Sequence, residues 1–326
     1  MDKADLRIVY MGTPDFAVAP LKKLVDYGYN VVGVVTNPDK PAGRGQKIKE
    51  SPVKIFAQKN NITILQPEKF KSEKFLHELK DMKADLQIVV AFKMLPEVVW
   101  AMPPKGTFNL HASLLPNYRG AAPINWAIIN GEQKTGVTTF FLEKEIDTGN
   151  IILQEDVPVY ENDTAGDLHD RLMEKGAELV IKTVDVILSG NYRLINQKEI
   201  TTDNQNIKPA PKIFKNECKI NWNETVDNIH NFIRGLSPYP AAWTEIKNNN
   251  DTIQIKIYQS LKENSKHNFL PGKIITDSKL NFKVACKNGF IKILELQQAG
   301  KKKLKTEDFL RGFPKINEWC CSTNTE

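Results

Sequence analysis

Gly106-Thr-Phe-Asn-Leu-His-Ala-Ser-Leu-Leu-Pro-Asn-Tyr-Arg-Gly-Ala-Ala-Pro123 holds the reading of the whole chain. The alternating run Thr107 to His111 predicts a strand that carries Asn109 and His111 to its far end. The chain then breaks at Leu115-Pro116, and a loop bounded by Pro and Gly passes Arg119 and Gly120. Residues at i and i+2 of a strand share a face. One face therefore presents an amide donor suited to an oxyanion beside an imidazole that moves protons near neutral pH. What the pair acts on has to come from the rest of the chain.

Working back from this stretch, Leu6 to Tyr10 reads as a short buried strand. Gly12-Thr-Pro-Asp15 reads as a turn, Leu21, Leu24 and Val25 as a helical stripe ended by Gly28, and Asn30 to Thr36 as a second strand. Strand, helix and strand in so few residues make a βαβ unit, and a near-continuous apolar run suits a parallel sheet. The alternation continues through Ile62–Leu65, Ser72–Leu79, Asp85–Ala91 and Pro96–Trp100. Beyond the opening stretch come Ala122–Ile129, two β-rich runs (Thr135–Leu142 and Asn150–Val159), and a long helix with Thr164 and Asp167 as a capping box, ended by Gly190. The expectation is a doubly wound, Rossmann-like α/β domain over residues 1–200. Its ligand site should lie beyond the carboxyl ends of the strands, where Asn109 and His111 fall. NAD and FAD are excluded, because Gly12 stands alone where a dinucleotide site needs G-x-G-x-x-G.

The chain of 326 residues has room for two domains, and its 41% hydrophobic and 26% charged residues are ordinary for a globular protein. A polar, Pro-containing linker is expected over 201–217. Beyond it, Val226, Ile229, Phe232 and Ile233 mark an amphipathic helix, followed by short strands with a hairpin turn at Lys287-Asn288-Gly289. That spacing predicts a small OB-like β-barrel over 218–326. The net charge of +6 is unevenly placed: residues 1–208 carry 26 Lys and Arg against 27 Asp and Glu, whereas 209–326 carry 19 against 12. A solvated lysine-rich surface and a polyanion-binding domain both fit this excess. The loop Asn37 to Lys47, rich in Pro, Gly and cations, is likewise either simply solvated or a reach onto an anionic partner.

Cys218, Cys286, Cys320 and Cys321 form no C-x-x-C pair, so no zinc site and no disulfide framework is expected, and a reducing cytoplasm is. The apolar runs are too short to cross a bilayer, the residues from Met1 lack a signal-like apolar segment, and a monomer is expected. Of the five histidines, His77, His169, His230 and His267 read as surface residues. For His111, spacing alone does not separate a catalytic from a structural role.

Asn109-Leu-His111, Ser113-Leu-Leu-Pro116, Arg119-Gly-Ala-Ala-Pro123 and Asp147-Thr-Gly149 follow one another in this order. Gly12-Thr-Pro-Asp-Phe16, Pro41-Ala-Gly-Arg-Gly45, Ser51-Pro-Val53, Ser237-Pro-Tyr-Pro240 and Pro271-Gly272 lie around them. Together they resemble the formyltransferases that use 10-formyltetrahydrofolate, over nearly the whole chain, and most closely the branch whose acceptor is initiator methionyl-tRNA. The resemblance implies a catalytic trio of Asn109, His111 and Asp147, and no metal. An α-amino group with a pKa near ~8 is largely protonated at neutral pH and must lose a proton to attack. An amide donor at the oxyanion is worth roughly 3 kcal/mol in comparable sites. The resemblance further places Ser113, Leu114, Leu115, Pro116, Ala91 and Phe92 against the folate donor. It places Arg44, Lys40 and Lys47 on the tRNA acceptor end, and Phe16 at the methionine side chain. The basic domain, with Lys301, Lys302 and Lys303, would hold the tRNA body. Where the family has Ala, an aromatic and Gly before Leu-Pro, this chain reads Ala91-Phe92-Lys93-Met94-Leu95-Pro96. The competing expectations are a formyltransferase for a small amine, such as a nucleotide-linked amino sugar or a purine precursor, and an inactive RNA-binding relative.

Overall fold

The first apolar run forms β1 (Arg7–Gly12), and five of its six residues are buried. A computed structural model describes residues 2–42, 47–200, 207–249, 251–313 and 315–323. After β1 come α1 (Val18–Asp26), β2 (Asn30–Val35), β3 (Lys40–Ala42), β4 (Lys47–Lys49), α2 (Pro52–Lys59), β5 (Ile64–Leu65) and α3 (Glu73–Asp81). Then follow β6 (Leu86–Val90), α4 (Glu97–Trp100), β7 (Thr107–His111), β8 (Arg119–Gly120), α5 (Pro123–Ile129), β9 (Lys134–Phe141), β10 (Ile151–Pro158) and α6 (Ala165–Ser189). Local signals set several ends. The Ser51 side chain accepts from Lys54 N–H with Pro52 in the first turn of α2, and Gly190 closes α6 at a φ of +69°. At the start of α6, the backbone N–H of Thr164 donates to Asp167 (2.9 Å), and that of Asp167 to the Thr164 hydroxyl (3.2 Å).

These strands form a seven-stranded sheet in the order β10-β9-β7-β6-β1-β2-β5. From β5 to β7 all neighbours are parallel; β9 runs antiparallel to β7, and β10 to β9. The sheet is thus mixed. β10 runs against β9 because the loop joining them is too short for a crossover helix. Burial is deepest at the centre of the sheet, as the apolar runs there require: every residue of β6 is buried, whereas β5 at the edge is only half-buried. The parallel strands are aligned so that the carboxyl ends of β6 and β7 lie side by side, Val90 paired with Leu110.

The later chain comprises β11 (Pro209–Ala210), α7 (Val226–Leu236), β12 (Ala242–Lys247), β13 (Thr252–Asn264), β14 (Ile274–Thr276), β15 (Phe282–Cys286), β16 (Gly289–Gln298), β17 (Leu304–Lys305), α8 (Thr306–Arg311) and β18 (Cys320–Cys321). Strands β14-β15-β16-β13-β12-β18 make one antiparallel sheet. A bridge from Lys273 to Cys320 brings its two ends together into a nearly closed barrel. The interior alternates as a half-buried strand should: Ala242, Thr244 and Ile246 face in, Trp243, Glu245 and Lys247 out. Trp222 fills the core with its indole N–H on the Thr244 hydroxyl at 3.0 Å.

Two compact units result. One comprises Met1–Gly120, Lys134–Pro158 and His169–Ala210; the other Ala121–Gln133, Val159–Leu168 and Pro211–Glu326. Helix α5 therefore groups with the barrel, where its Asn125 amide donates to the Gly235 carbonyl at 2.7 Å. One expectation is corrected. His230, read as a surface residue, is buried on α7 with its Nδ1 3.2 Å from the Ser260 hydroxyl. Burial, with Arg234 and Lys262 nearby, lowers its pKa to about 4. No helix of the described residues is long and apolar enough to cross a membrane.

Candidate active site

β7 ends at the candidate site. Asn109 sits between Val89 of β6 and Phe140 of β9, half-buried, and its side-chain amide makes no hydrogen bond among the described residues. Two residues on, His111 is 6% exposed. Its Nε2 lies 2.8 Å from the Tyr118 carbonyl oxygen. A carbonyl only accepts, so Nε2 carries the proton and Nδ1 is bare in the neutral ring. Nδ1 faces Asp147, 4.0 Å from Oδ2. The same Oδ2 accepts the backbone N–H of Gly120 at 2.9 Å.

The chain between these residues is tightly tied. The Leu115-Pro116 bond is cis. The Thr138 hydroxyl on β9 donates to the Ser113 carbonyl (2.6 Å), the Gln154 amide on β10 to the Leu115 carbonyl (3.0 Å), and the Ser113 hydroxyl to the Asn117 carbonyl (2.7 Å). β11 then pairs in parallel with β8, and the Tyr118 N–H donates to the Lys208 carbonyl at 2.6 Å. At Gly120 φ is +123°, and a Cβ there would lie 2.5 Å from the Ala210 carbonyl oxygen, so only glycine fits beside β11. Two non-glycine residues of the site, Tyr118 (φ +62°) and Asp147 (φ +55°), hold left-handed backbone. Arg119 is partly buried, which lowers its pKa against the opposing pull of Asp147 and Glu145.

An imidazole, a carboxylate and an unclaimed amide thus converge at the carboxyl end of a central strand. Comparison with known proteins says which family builds this. Residues 6–184 match the model described as formyl transferase, and 212–314 the model described as formyl transferase, C-terminal domain. The chain is 58% identical over 314 residues to the methionyl-tRNA formyltransferase of Bacteroides fragilis, covering 96% of this chain and 97% of that one. This chain belongs to the methionyl-tRNA formyltransferases. It is also 58% identical over 321 residues to the methionyl-tRNA formyltransferase of Parabacteroides distasonis (98% and 99% covered) and 55% identical over 307 residues to that of Flavobacterium johnsoniae (94% and 96%). Among solved structures, an N-formyltransferase from Helicobacter canadensis superposes with a TM-score of 0.62 at 23% identity, covering 92% of this chain and 100% of that one. HypX from Aquifex aeolicus gives 0.63 at 16% identity over 95% of this chain, which spans about half (48%) of HypX. At these identities the two structures show the shared fold alone.

The remaining expected residues of this methionyl-tRNA formyltransferase family member fall in several places. Ser113, Leu115 and Pro116 are buried; Leu114 is half-exposed and lies over Gly136 of β9. Ala91 is exposed at the end of β6 with φ +47°. Phe92 is half-buried against Phe70, ring centroids 5.7 Å apart. Phe16 is buried edge-on to His169 at 5.2 Å. Lys40 is exposed on β3 and Lys47 lies on β4, while Arg44 lies outside the described residues. Lys301, Lys302 and Lys303 are all exposed, and Lys303 also pairs with Glu295 at 2.9 Å and covers the Tyr258 ring at 5.1 Å. Sequence reasoning does not reach Gln197. Its fully buried side chain meets both Arg119 and the Asp147 loop, and nothing in the polar stretch around it signals this.

Proposed function

We propose that this chain transfers the formyl group of 10-formyltetrahydrofolate to the α-amino group of initiator methionyl-tRNA, with Asn109, His111 and Asp147 as the catalytic trio. The observation that carries the reading is the 4.0 Å approach of His111 Nδ1 to Asp147 beside the unclaimed Asn109 amide. The amine attacks the formyl carbon, forming the new C–N bond, and the carbonyl oxygen becomes an oxyanion to which Asn109 donates. The nitrogen loses a proton, the C–N10 bond breaks, and N10 takes a proton, giving formylmethionyl-tRNA and tetrahydrofolate. Because Nε2–H is committed to Tyr118, His111 takes and gives its proton at Nδ1, the ring nitrogen that faces the Asp147 carboxylate. The reading calls for no covalent intermediate and no metal.

Folate chemistry suits the neighbouring strand end. Phe92, Lys93 and Met94 make no backbone hydrogen bond among the described residues, and a pterin edge needs just such donors and acceptors. Ala91, Phe92 and Ser113 to Pro116 would form that wall, with the buried members shaping it from behind. Arg44, Lys40 and Lys47 would meet the acceptor end, and Phe16 the methionine side chain. We assign residues 1–200 to catalysis, 201–217 to the linker and 218–326 to tRNA binding in a monomeric cytoplasmic protein. The barrel's outer face supports this: Lys219, Trp243 and Lys256 are neighbours across three chain segments, with Lys219 5.5 Å from the Trp243 ring. Cations interleaved with aromatics suit a nucleic-acid backbone and its bases. The test supplies labelled formyl donor with charged and uncharged tRNA and with a nucleotide-linked amino sugar. Label is expected on charged tRNA alone; label on the sugar, or none on charged tRNA, would overturn the reading.

A further inference from the structure

Gln197 lies 50 residues beyond Asp147 in sequence. Ile195 brings it there, exchanging N–H···O bonds of 2.9 and 3.0 Å with Ile151 of β10. The Gln197 side chain is fully buried. Its amide nitrogen donates to the Asp147 carbonyl (2.9 Å) and to the Gly149 carbonyl (2.8 Å). Its Oε1 accepts from Arg119 Nε (3.1 Å) and Nη2 (2.6 Å). These four bonds engage both N–H groups and both lone pairs, and they go to the two segments that flank His111.

Those segments need a tie. Asp147 holds left-handed backbone, and the next anchor, Gly149, sits where a Cβ would come 1.7 Å from the Phe141 carbonyl oxygen. Loss of the amide leaves two carbonyls without their donor and lets the left-handed residue relax. Arg119 would lose its fixed fork and with it the placement of its charge near Asp147. We infer that Gln197 is the positioning residue that sets the Asp147 carboxylate against His111, holding the Asp147 loop with one end of its side chain and Arg119 with the other. The inference rests on the preceding assignment of Asp147 and His111.

The test is a double-mutant cycle on the full chain with charged tRNA as acceptor. Gln197→Leu is expected to lower kcat by about 10- to 100-fold with both KM values within about 3-fold of wild type. Its pH–kcat profile should move to that of Asp147→Asn, and Gln197→Leu/Asp147→Asn should be no slower than Asp147→Asn alone. Multiplying losses in the double variant, or a lowered Tm with kcat and profile unchanged, would overturn the inference. Gln197→Glu keeps the size and the acceptor for Arg119 but sets oxygen against two carbonyls. It too should be slow, and wild-type kcat in it would overturn the clamp. Wild-type turnover in Asp147→Asn would instead remove the catalytic assignment, and the inference with it.

Discussion

His111 and Tyr118 are joined by a 2.8 Å hydrogen bond from the ring Nε2–H to a main-chain oxygen, so the ring's orientation is set by backbone. Tyr118 itself holds a φ of +62° and is tied through its N–H to Lys208. The imidazole is thus fixed by groups that no side-chain substitution removes, which leaves Nδ1 free for chemistry.

His111→Asn should therefore lower kcat by about 100-fold or more, the range of acid–base contributions, with methionyl-tRNA affinity unchanged. Single-turnover rates and filter binding separate the two. A parallel loss of binding would mean that the ring contacts the tRNA.

The role proposed for Asn109 is narrower, donation to the oxyanion. Asn109→Ala should slow kcat by about 100- to 1000-fold, the effect of removing one oxyanion donor. Asn109→Asp, which puts negative charge at the same place, should be no better. Steady-state kinetics with both variants decide this, and recovery in Asn109→Asp would argue for a proton-transfer role instead.

Arg44→Ala is expected to raise the KM for methionyl-tRNA while leaving folate binding intact. Equal loss of both, measured by tRNA titration and by folate fluorescence quenching, would contradict the assignment of the loop to the acceptor end.

Lys301, Lys302 and Lys303 are all exposed, but Lys303 already has Glu295. Replacing Lys301 and Lys302 by Ala should flatten the dependence of log K on log salt by roughly 0.7 to 0.9 for each phosphate that is no longer neutralised. Lys303→Ala should change the slope less. Equal slopes in all three proteins would place the tRNA elsewhere.

His230 links stability to pH. Its folded pKa of about 4 lies below the ordinary histidine value, so the unfolded chain binds the proton first as pH falls. The stabilisation is fully present above about pH 6.5 and declines as pH drops toward 4, by about 3 kcal/mol across the window. His230→Phe should flatten Tm between those pH values. An unchanged slope would show that other groups set it.

Much of this was readable from residue order. The alternation at Thr107–His111 and the reciprocal pair Thr164–Asp167 act locally, so the strand, the helix start and the Asn109–His111 face all follow from spacing. The same is not true of β8 and β11. Two-residue strands have no periodicity, and their pairing joins Arg119 to Pro209 across a stretch that reads as linker. Gln197 is invisible for a related reason: a buried amide finds its partners through the tertiary fold, and its neighbours are polar like those of any loop. His230 misleads because a polar residue on an amphipathic helix looks solvent-facing until β13 supplies Ser260.

The grouping of α5 with the barrel bears on how this protein can be cut and recombined. A fragment begun at the linker would lack Ile129, which leaves a Cβ at Gly235 only 2.7 Å of room, and Asn125, which holds the Gly235 carbonyl. It would also lack Asp163, whose carbonyl accepts from Arg234 at 3.0 Å. Such a piece would expose one flank of α7 and release a buried guanidinium. Transplanting the barrel onto another enzyme therefore means carrying two inserts from earlier in the gene, so the natural seam for exchange is not the linker but the set of points where the chain passes from one unit to the other.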